Sequence, residues 1–216
     1  MGLLNALQGF CVIGIVILAG YIAARLHIGG SSAQMVLNRF SFFVCSPCLM
    51  FAILSKEPIF DIFHSSIVVA FASAMAVGVI FLTVNRLHFH MDAAHATIGA
   101  LNSLYLNSNN IGLPIATYIL GDPALVAPIL VMQQALFTPV GLTVLDMATT
   151  GRVSAKEVLK QPFHQPMLIA SLLGIAVSVV SAQTGWFVIP DFLYDPIDMI
   201  SDAAVPMVPM AFGMSL

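Results

Sequence analysis

Charged residues divide the chain into long uncharged segments, and these segments determine the predicted helices. A helix that crosses a membrane needs about 20 mainly apolar residues, at a rise of about 1.5 Å per residue. The main uncharged segments are 1–24, 40–55, 62–85, 93–121, 123–145 and 161–190. They predict six membrane-spanning helices, at 4–24, 36–55, 63–85, 95–121, 124–146 and 166–183.

A seventh span is predicted to start near residue 197, within a group of aspartates at 191–202. The last uncharged segment, 203–216, is followed by no polar flank. It would cover only about 21 Å of a hydrocarbon core that is about 30 Å thick. We therefore expect the chain to be truncated inside this span, at Leu216.

The apolar segments do not alternate with polar residues, which argues against the strands of a membrane β-barrel. The segment "FCVIGIVILAGYIAA" at 10–24 is apolar on every face, whereas barrel strands alternate with a period of two over about ten residues. Hydrophobic residues make up 59% of the chain and charged residues 8%, against about 25% charged residues in soluble domains. The predicted fold class is an all-α integral membrane protein, a polytopic helix bundle.

The basic residues are distributed unevenly between the predicted loops. Six of the seven lie in loops 1–2, 3–4 and 5–6, and one lies in loop 2–3. Because basic loops remain in the cytoplasm, the N-terminus is predicted to lie outside a cell membrane, inner or plasma. The inner residues are Arg25, Arg39, Arg86, Arg152, Lys156 and Lys160, and the outer one is Lys56.

Two pairs of spans resemble each other in a way that indicates an inverted repeat. Span 1 resembles span 6, with Gly14 opposite Gly174, and span 2 resembles span 7, with the predicted helix-breaking residues Pro47 and Pro206 opposite each other. Chance similarity between apolar segments is the alternative. Inverted repeats with broken helices are typical of secondary transporters. The chain would then divide into a first five-helix repeat at 1–147, a cytoplasmic loop at 148–165 and the start of a second repeat at 166–216.

Span 4 contains the polar stretch "LNSNNIGLP" at 106–114 within an otherwise apolar segment. Pro114 lacks an N–H group and clashes with the carbonyl four residues earlier, and Gly112 disfavours a helix. We therefore expect one half-helix to end near Asn107, the chain to unwind over 108–112, and a second half-helix to start at residue 113 or 114. Span 4 would be a broken crossing helix.

The asparagines of this stretch form the predicted substrate site. Asn109 and Asn110 suit the N-cap of the second half-helix. Unwound backbone at membrane depth is tolerated only where protein or a water-filled cavity satisfies it, and a polar solute could bind there. The alternative is a kinked helix whose asparagines bond neighbouring helices. The predicted binding residues are Asn102, Asn107, Asn109, Asn110, Gly112 and Pro114, joined by Gln133 and Gln134 of span 5, which either face the cavity or bond across helices.

Other motifs carry less chemistry. The cysteines of "CSPC" at 45–48 lie in an apolar helix, where a thiol acts as a small hydrophobe, and the histidines of "HFHMDAAH" at 88–95 lie in a predicted solvated loop. Spans 1–6 hold no charged residue at depth, so an anion would be bound by amides, backbone N–H groups and helix dipoles. We expect no metal and no cofactor; the coupling ion, proton or sodium, is unknown.

Four stretches resemble the auxin efflux carrier family of membrane transporters. They are "NSNNIGLPIATYILGD" in span 4, "SPCLMF" in span 2, "QPMLIASLLGI" at the start of span 6 and "AAVPMVPMAFGMSL" at the end. The resemblance covers the whole chain in order. Two features depart from the pattern: Gln165 stands where the family usually has Asn, and spans 8–10 are absent.

The resemblance implies a secondary transporter of small organic anions. It implies two five-helix inverted repeats, about ten spans in about 300 residues, with broken fourth helices that meet at a site in mid-membrane. Auxin is the implied substrate class in plants, and malonate and similar carboxylates in bacteria, whose members have a short cytoplasmic loop as here. A channel, a non-transporting sensor or an intramembrane enzyme are the alternatives. The expected partners are the anion and membrane lipid, and no nucleic acid is expected. A homodimer is a further possibility.

Overall fold

The protein was described from a computed structural model that covers residues 3–57, 65–150 and 164–216. In these ranges the regular structure is helical. Most of the predicted inner loop between spans 5 and 6, including Arg152, Lys156 and Lys160, lies outside the described residues. The helices are α1 (Leu3–Arg25), α2 (Ala33–Lys56), α3 (Ser65–Val84), α4 (Ala93–Leu104), α5 (108–120), α6 (127–150), α7 (Pro166–Thr184), α8 (Asp191–Asp202) and α9 (Ala204–Gly213).

Five helical segments in the described part of the chain are long and apolar enough to cross a membrane. They correspond to predicted spans 1, 2, 3, 5 and 6. Large apolar side chains on α1 and α3, such as Ile15, Val68 and Val79, are exposed, as expected for helix faces that meet lipid. The five segments are Leu7–Arg25, Ala33–Lys56, Ile67–Phe89, Pro123–Ala148 and Pro166–Thr184.

Three helices widen by one residue per turn just before a proline. A proline cannot donate to the preceding turn, and a π-helical turn pairs each N–H with the carbonyl five residues earlier. The N–H of Ser46, for example, bonds the carbonyl of Ser41. Pro47 thus widens α2 without breaking it. The three wide turns are Ser41–Cys45 before Pro47, Ser108–Gly112 before Pro114, and Gln133–Phe137 before Pro139.

Two close helix pairs form the larger layer of the bundle: α7 packs on the second half of α2, and α1 packs on α9. At the first pair, a Cβ added to Gly174 would lie 2.9 Å from the carbonyl oxygen of Phe51. At the second pair, a Cβ on Gly20 would overlap the carbonyl of Met210. Gly14, the predicted counterpart of Gly174, has open space beside it, so the two glycines differ in their contacts.

The predicted seventh span begins earlier than expected and is interrupted. Helix α8 starts at Asp191 instead of near residue 197, because its Tyr194 is buried against α2 and donates from its hydroxyl to the carbonyl of Ala52 at 3.3 Å. The turn at Ala203 separates α8 from α9, three residues before Pro206.

A second layer joins α3, α4 and α6. Its buried side chains are Ala74, Met132 and Phe137, and the ring of Phe71 stacks on that of Phe137 at 6.0 Å. Helix α5 lies in the larger layer, where Leu113 and Ala116 pack into a core that includes Met50 of α2. The junction between α4 and α5 therefore lies where the two layers meet.

Candidate functional site

Predicted span 4 contains a non-helical interruption at 105–107, ahead of the stretch 108–112 where we expected the chain to unwind. Helix α4 ends at Leu104, Tyr105 is extended, and Asn107 becomes the N-cap residue of α5. The stretch Ser108–Gly112, which we expected to be unwound, is helical with a wide turn. The effect of Pro114 is absorbed by that turn, so the interruption itself lies at 105–107.

Hydrogen bonds from span 5 and from α5 pair the backbone carbonyls of the interruption. Gln133 donates from Nε2 to the carbonyl of Leu106 at 2.9 Å, and the carbonyl of Asn107 accepts from the N–H groups of Ile111 and Gly112, each at 3.1 Å. The hydroxyls of Tyr105 and Thr138 lie 3.3 Å apart. Buried backbone polar groups need such partners, so these contacts explain why the chain can leave the helix here.

A cavity of about 540 Å³ opens beside the interruption and brings together six of the eight predicted binding residues. Its volume lies within the range of small-molecule sites. Met167 of α7 and Leu142 of α6 form part of its apolar wall. The six residues are Asn102, Asn107, Asn109, Asn110, Gln133 and Gln134.

Pro114 and Gly112 do not share this cavity. Pro114 is buried and lines a second cavity of about 310 Å³ between α1, α5 and α9, together with Asn107 and Asn110. Gly112 has helical backbone angles and would tolerate a Cβ at ordinary contact distances. Gly112 is therefore not unwound as we predicted, and it does not line the cavity beside the interruption.

A third cavity, of about 350 Å³, lies on the α2 side of the asparagines. It is lined by Arg39 and Ser41 of α2 together with Asn109 and Asn110. The side chain of Asn110 thus borders all three cavities. Asn109 donates from Nδ2 to Oδ1 of Asn110 at 3.2 Å, which makes the two amides one hydrogen-bonded pair.

Several buried polar atoms around the pair have no hydrogen-bond partner among the described residues. Four of them line the cavities, and each is an acceptor or a hydroxyl. An unpaired buried polar atom is destabilising unless a water or ligand pairs with it. The four atoms are Asn109 Oδ1, Gln133 Oε1, Gln134 Oε1 and Ser41 Oγ.

The other candidate groups stay apart from these cavities. Cys45 and Cys48 are free thiols, and the sulfur of Cys45 lies 3.6 Å from that of Met207. In the first turn of α4, His95 Nδ1 pairs with an oxygen of Asp92, the N-cap residue. The described residues contain no cluster of three His, Cys, Asp or Glu side chains that could bind a metal.

A family described as "Membrane transport protein" matches residues 10–157, more than half of the chain. The chain belongs to this family. The resemblance to auxin efflux carriers, which are membrane transport proteins of the same family, is therefore confirmed at the level of the family.

Two curated relatives of this membrane transport protein have transporter names. An uncharacterized transporter of Methanocaldococcus jannaschii is 23% identical over 209 residues, which cover 95% of this chain and 67% of the relative. The "Putative malonate transporter" of Rhizobium meliloti is 26% identical over 214 residues, which cover 93% of this chain and 63% of the relative. The chain thus spans about two thirds of the length of these relatives.

The cavity residues of this membrane transport protein that the sequence did not predict lie at the start of span 2. Arg39 was counted only as a basic residue at the edge of span 2, and Gln34 and Asn38 were not predicted as site residues, although all three line the cavities beside Asn110. Gln34 and Asn38 are four residues apart, which places them on one helix face. A polar face that precedes an apolar span was the signal that could have found them.

Proposed function

We propose that the protein is a secondary transporter of a small organic anion, and that the anion binds at the Asn109–Asn110 pair. The observation that carries this proposal is the position of Asn110. Its side chain borders three cavities at the point where α4 gives way to α5. A solute that occupies any of these cavities contacts the same amide.

Hydrogen-bond donors at the pair favour an anion. Because Asn109 donates to Oδ1 of Asn110, the Nδ2 group of Asn110 remains as a donor. The N–H groups of the first residues of α5 have no acceptor within that helix, and its dipole stabilises negative charge by about 0.3–1 kcal/mol, or about 2 kcal/mol when partly buried. A carboxylate is the ordinary acceptor for such a set of donors.

The charged residues around the cavities also favour a negatively charged substrate. Arg39 lines the cavity on the α2 side, and an arginine keeps its positive charge at any physiological pH. No Asp or Glu contributes to the lining of the three cavities. The relative named for malonate is in keeping with a small carboxylate as the substrate.

The helix packing supports an inverted repeat and, with it, alternating access. If span 1 corresponds to span 6 and span 2 to span 7, the pair α1–α9 corresponds to the pair α7–α2. These are the two closest helix pairs in the described part of the bundle. In such transporters, one repeat moves against the other around a fixed site.

Some of the residues that line the cavities lie near the predicted basic loops. Arg39 follows loop 1–2, Asn102 lies in the half-helix that follows loop 3–4, and Leu142 lies in the last part of span 5. Since basic loops remain in the cytoplasm, this conformation is open to the inside, with the N-terminus and loop 2–3 outside.

Substrate binding by purified complete protein tests the proposal, with malonate as the probe. Asn110→Ala removes a donor to a charged group, which is worth about 1.5–3 kcal/mol, so malonate should bind about 10-fold more weakly or worse. Gln183→Ala is the matched control because this amide is exposed at the end of α7, away from the cavities. Wild-type affinity in both Asn109→Ala and Asn110→Ala would show that the asparagines only hold helices together.

Uptake into proteoliposomes separates a carrier from a channel. A carrier has a finite number of sites that must reorient, so uptake should saturate with malonate concentration, and Asn110→Ala should shift the half-saturating concentration upwards. Uptake that rises linearly over the same range would contradict alternating access.

A further inference from the structure

Arg39 and Ser41 give the proposed site a second group of anion ligands beside the asparagine pair. Both residues line the cavity of about 350 Å³ whose opposite wall contains Asn109 and Asn110. They come from α2, whereas the asparagines come from α5. The two groups thus face one space from two different helices.

The charge of Arg39 is not neutralised by a neighbour. Within residues 3–57, 65–150 and 164–216, no carboxylate pairs with its guanidinium, and no aromatic ring stacks beneath it, in contrast to Arg25, which lies 5.0 Å above the ring of Tyr21. A guanidinium presents five donors in a planar fork that matches a carboxylate. Arg39 is therefore available to an anionic ligand.

Ser41 provides an independent indication that a ligand belongs here. Its side chain is 1% exposed, yet its hydroxyl has no hydrogen-bond partner among the described residues. A serine inside a helix normally donates to a carbonyl one turn earlier, as Ser171 does to Met167 at 2.8 Å. The Ser41 hydroxyl makes no such bond, and Ser41 lines the cavity.

We propose that Arg39 and Ser41 form a second anion subsite that binds the second charged group of a short dianion, such as a dicarboxylate. This inference rests on the proposed function, in which the first carboxylate binds at Asn109 and Asn110. One carboxylate then contacts the neutral amides, and the other contacts the guanidinium and the hydroxyl. The arrangement selects a doubly charged substrate over a singly charged one of the same length.

A phosphate group of a membrane lipid is the other anion that could pair with Arg39. It shares its charge and acceptor oxygens with a carboxylate but stays with the bilayer. A lipid ligand would make the effect of Arg39 depend on lipid composition and not on the charge of the solute. The experiment therefore varies both.

The test compares malonate with its monomethyl ester, which has nearly the same length and one charge fewer. Complete protein is placed in nanodiscs of phosphatidylcholine alone or with phosphatidylglycerol, and binding is measured by calorimetry. Arg39→Gln should weaken malonate binding about 10-fold or more, while the monoester should change by less than about two-fold. Arg25→Gln is the matched control because this cation lies at the other end of the same loop and lines none of the cavities.

Two further variants keep the test decisive if Arg39→Gln folds poorly. Arg39→Lys keeps the charge without the fork, so we expect an intermediate loss with part of the preference for malonate retained. Ser41→Ala should weaken malonate binding several-fold and leave the monoester unchanged. A uniform loss of both ligands in these variants would overturn the second subsite, because it would indicate a structural role.

The remaining outcomes distinguish the two proposals. If Asn110→Ala weakens both ligands and Arg39→Gln weakens neither, the asparagine site stands and the second subsite falls. If Arg39→Gln only removes bound phosphatidylglycerol, as seen by native mass spectrometry, the ligand is lipid and the second subsite also falls. Wild-type protein that binds neither malonate nor the monoester contradicts the asparagine site and the subsite together.

Discussion

Gln133 donates a hydrogen bond to the carbonyl oxygen of Leu106, at 2.9 Å from its Nε2 atom. The bond connects span 5 to the interruption between the two half-helices of span 4. Gln134, the next residue, donates to the sulfur of Met167 at 3.0 Å, and a thioether is a weak acceptor. The two adjacent buried amides therefore differ in role: Gln133 stabilises the interruption, and Gln134 is available to a ligand.

Gln133→Leu should destabilise the protein. The change removes the donor to a buried carbonyl and leaves that carbonyl unsatisfied, which costs about 1–3 kcal/mol. Thermal unfolding of purified protein in detergent measures the effect, with Gln183→Leu at an exposed position as the control. Equal unfolding temperatures for the two variants would mean that water replaces Gln133 at Leu106.

Gln134→Leu should separate stability from binding. Its Oε1 atom is buried and has no partner among the described residues, so replacing the amide by an apolar group should leave stability unchanged or raise it by about 1 kcal/mol. Malonate affinity should fall nevertheless, because an acceptor for a water that bridges to the substrate is lost. A variant with lower stability and normal affinity would assign Gln134 to helix packing.

Gly20→Ala should disrupt the pair α1–α9. The added methyl group would overlap the carbonyl of Met210, and helices forced apart by overpacking lose about 1–3 kcal/mol. Gly14→Ala is the matched control, since this glycine on the same helix has open space beside it and alanine is the better helix former. The unfolding temperature should fall for Gly20→Ala only; a fall for both would indicate that α1 packs differently.

Cysteine labelling should reveal the topology that the basic loops predict. In a variant without native cysteines, an impermeant maleimide should reach Glu57→Cys from outside the cell, whereas Met91→Cys should react only after the membrane is opened. Both positions are exposed in the structure. Labelling of Met91→Cys in intact cells would contradict the orientation. The native cysteines to be replaced are Cys11, Cys45 and Cys48.

The apolar segments were sufficient to predict where the long helices lie, because length and hydropathy limit a span strongly. The position of the interruption could not be predicted in the same way. Pro114 pointed to residues 108–112, but a proline can be accommodated by a wide turn, and the chain leaves the helix where Gln133, 27 residues away, can bond Leu106. A contact across that separation has no signature in the local sequence.

The candidate site was predictable in its asparagines and not in its cation. Asn109 and Asn110 are conspicuous because an amide pair is rare in an apolar segment. Arg39 was assigned to the edge of span 2, where a basic residue needs no special explanation. Its position beside the asparagines follows from the packing of α9 against both the first half of α2 and α5, which hydropathy does not determine.

The wide turns before Pro47, Pro114 and Pro139 also act on the rotational phase of their helices. Each inserts one residue more than an α-helical turn, and one residue rotates the helix by about 100°. The faces that the helix presents before and after such a turn are therefore rotated relative to those of a continuous α-helix. Deleting a single residue within 108–112 would rotate Asn107 and the interruption relative to the buried face of Leu113. The direction in which the asparagines point therefore depends on the number of residues in the turn as much as on their type.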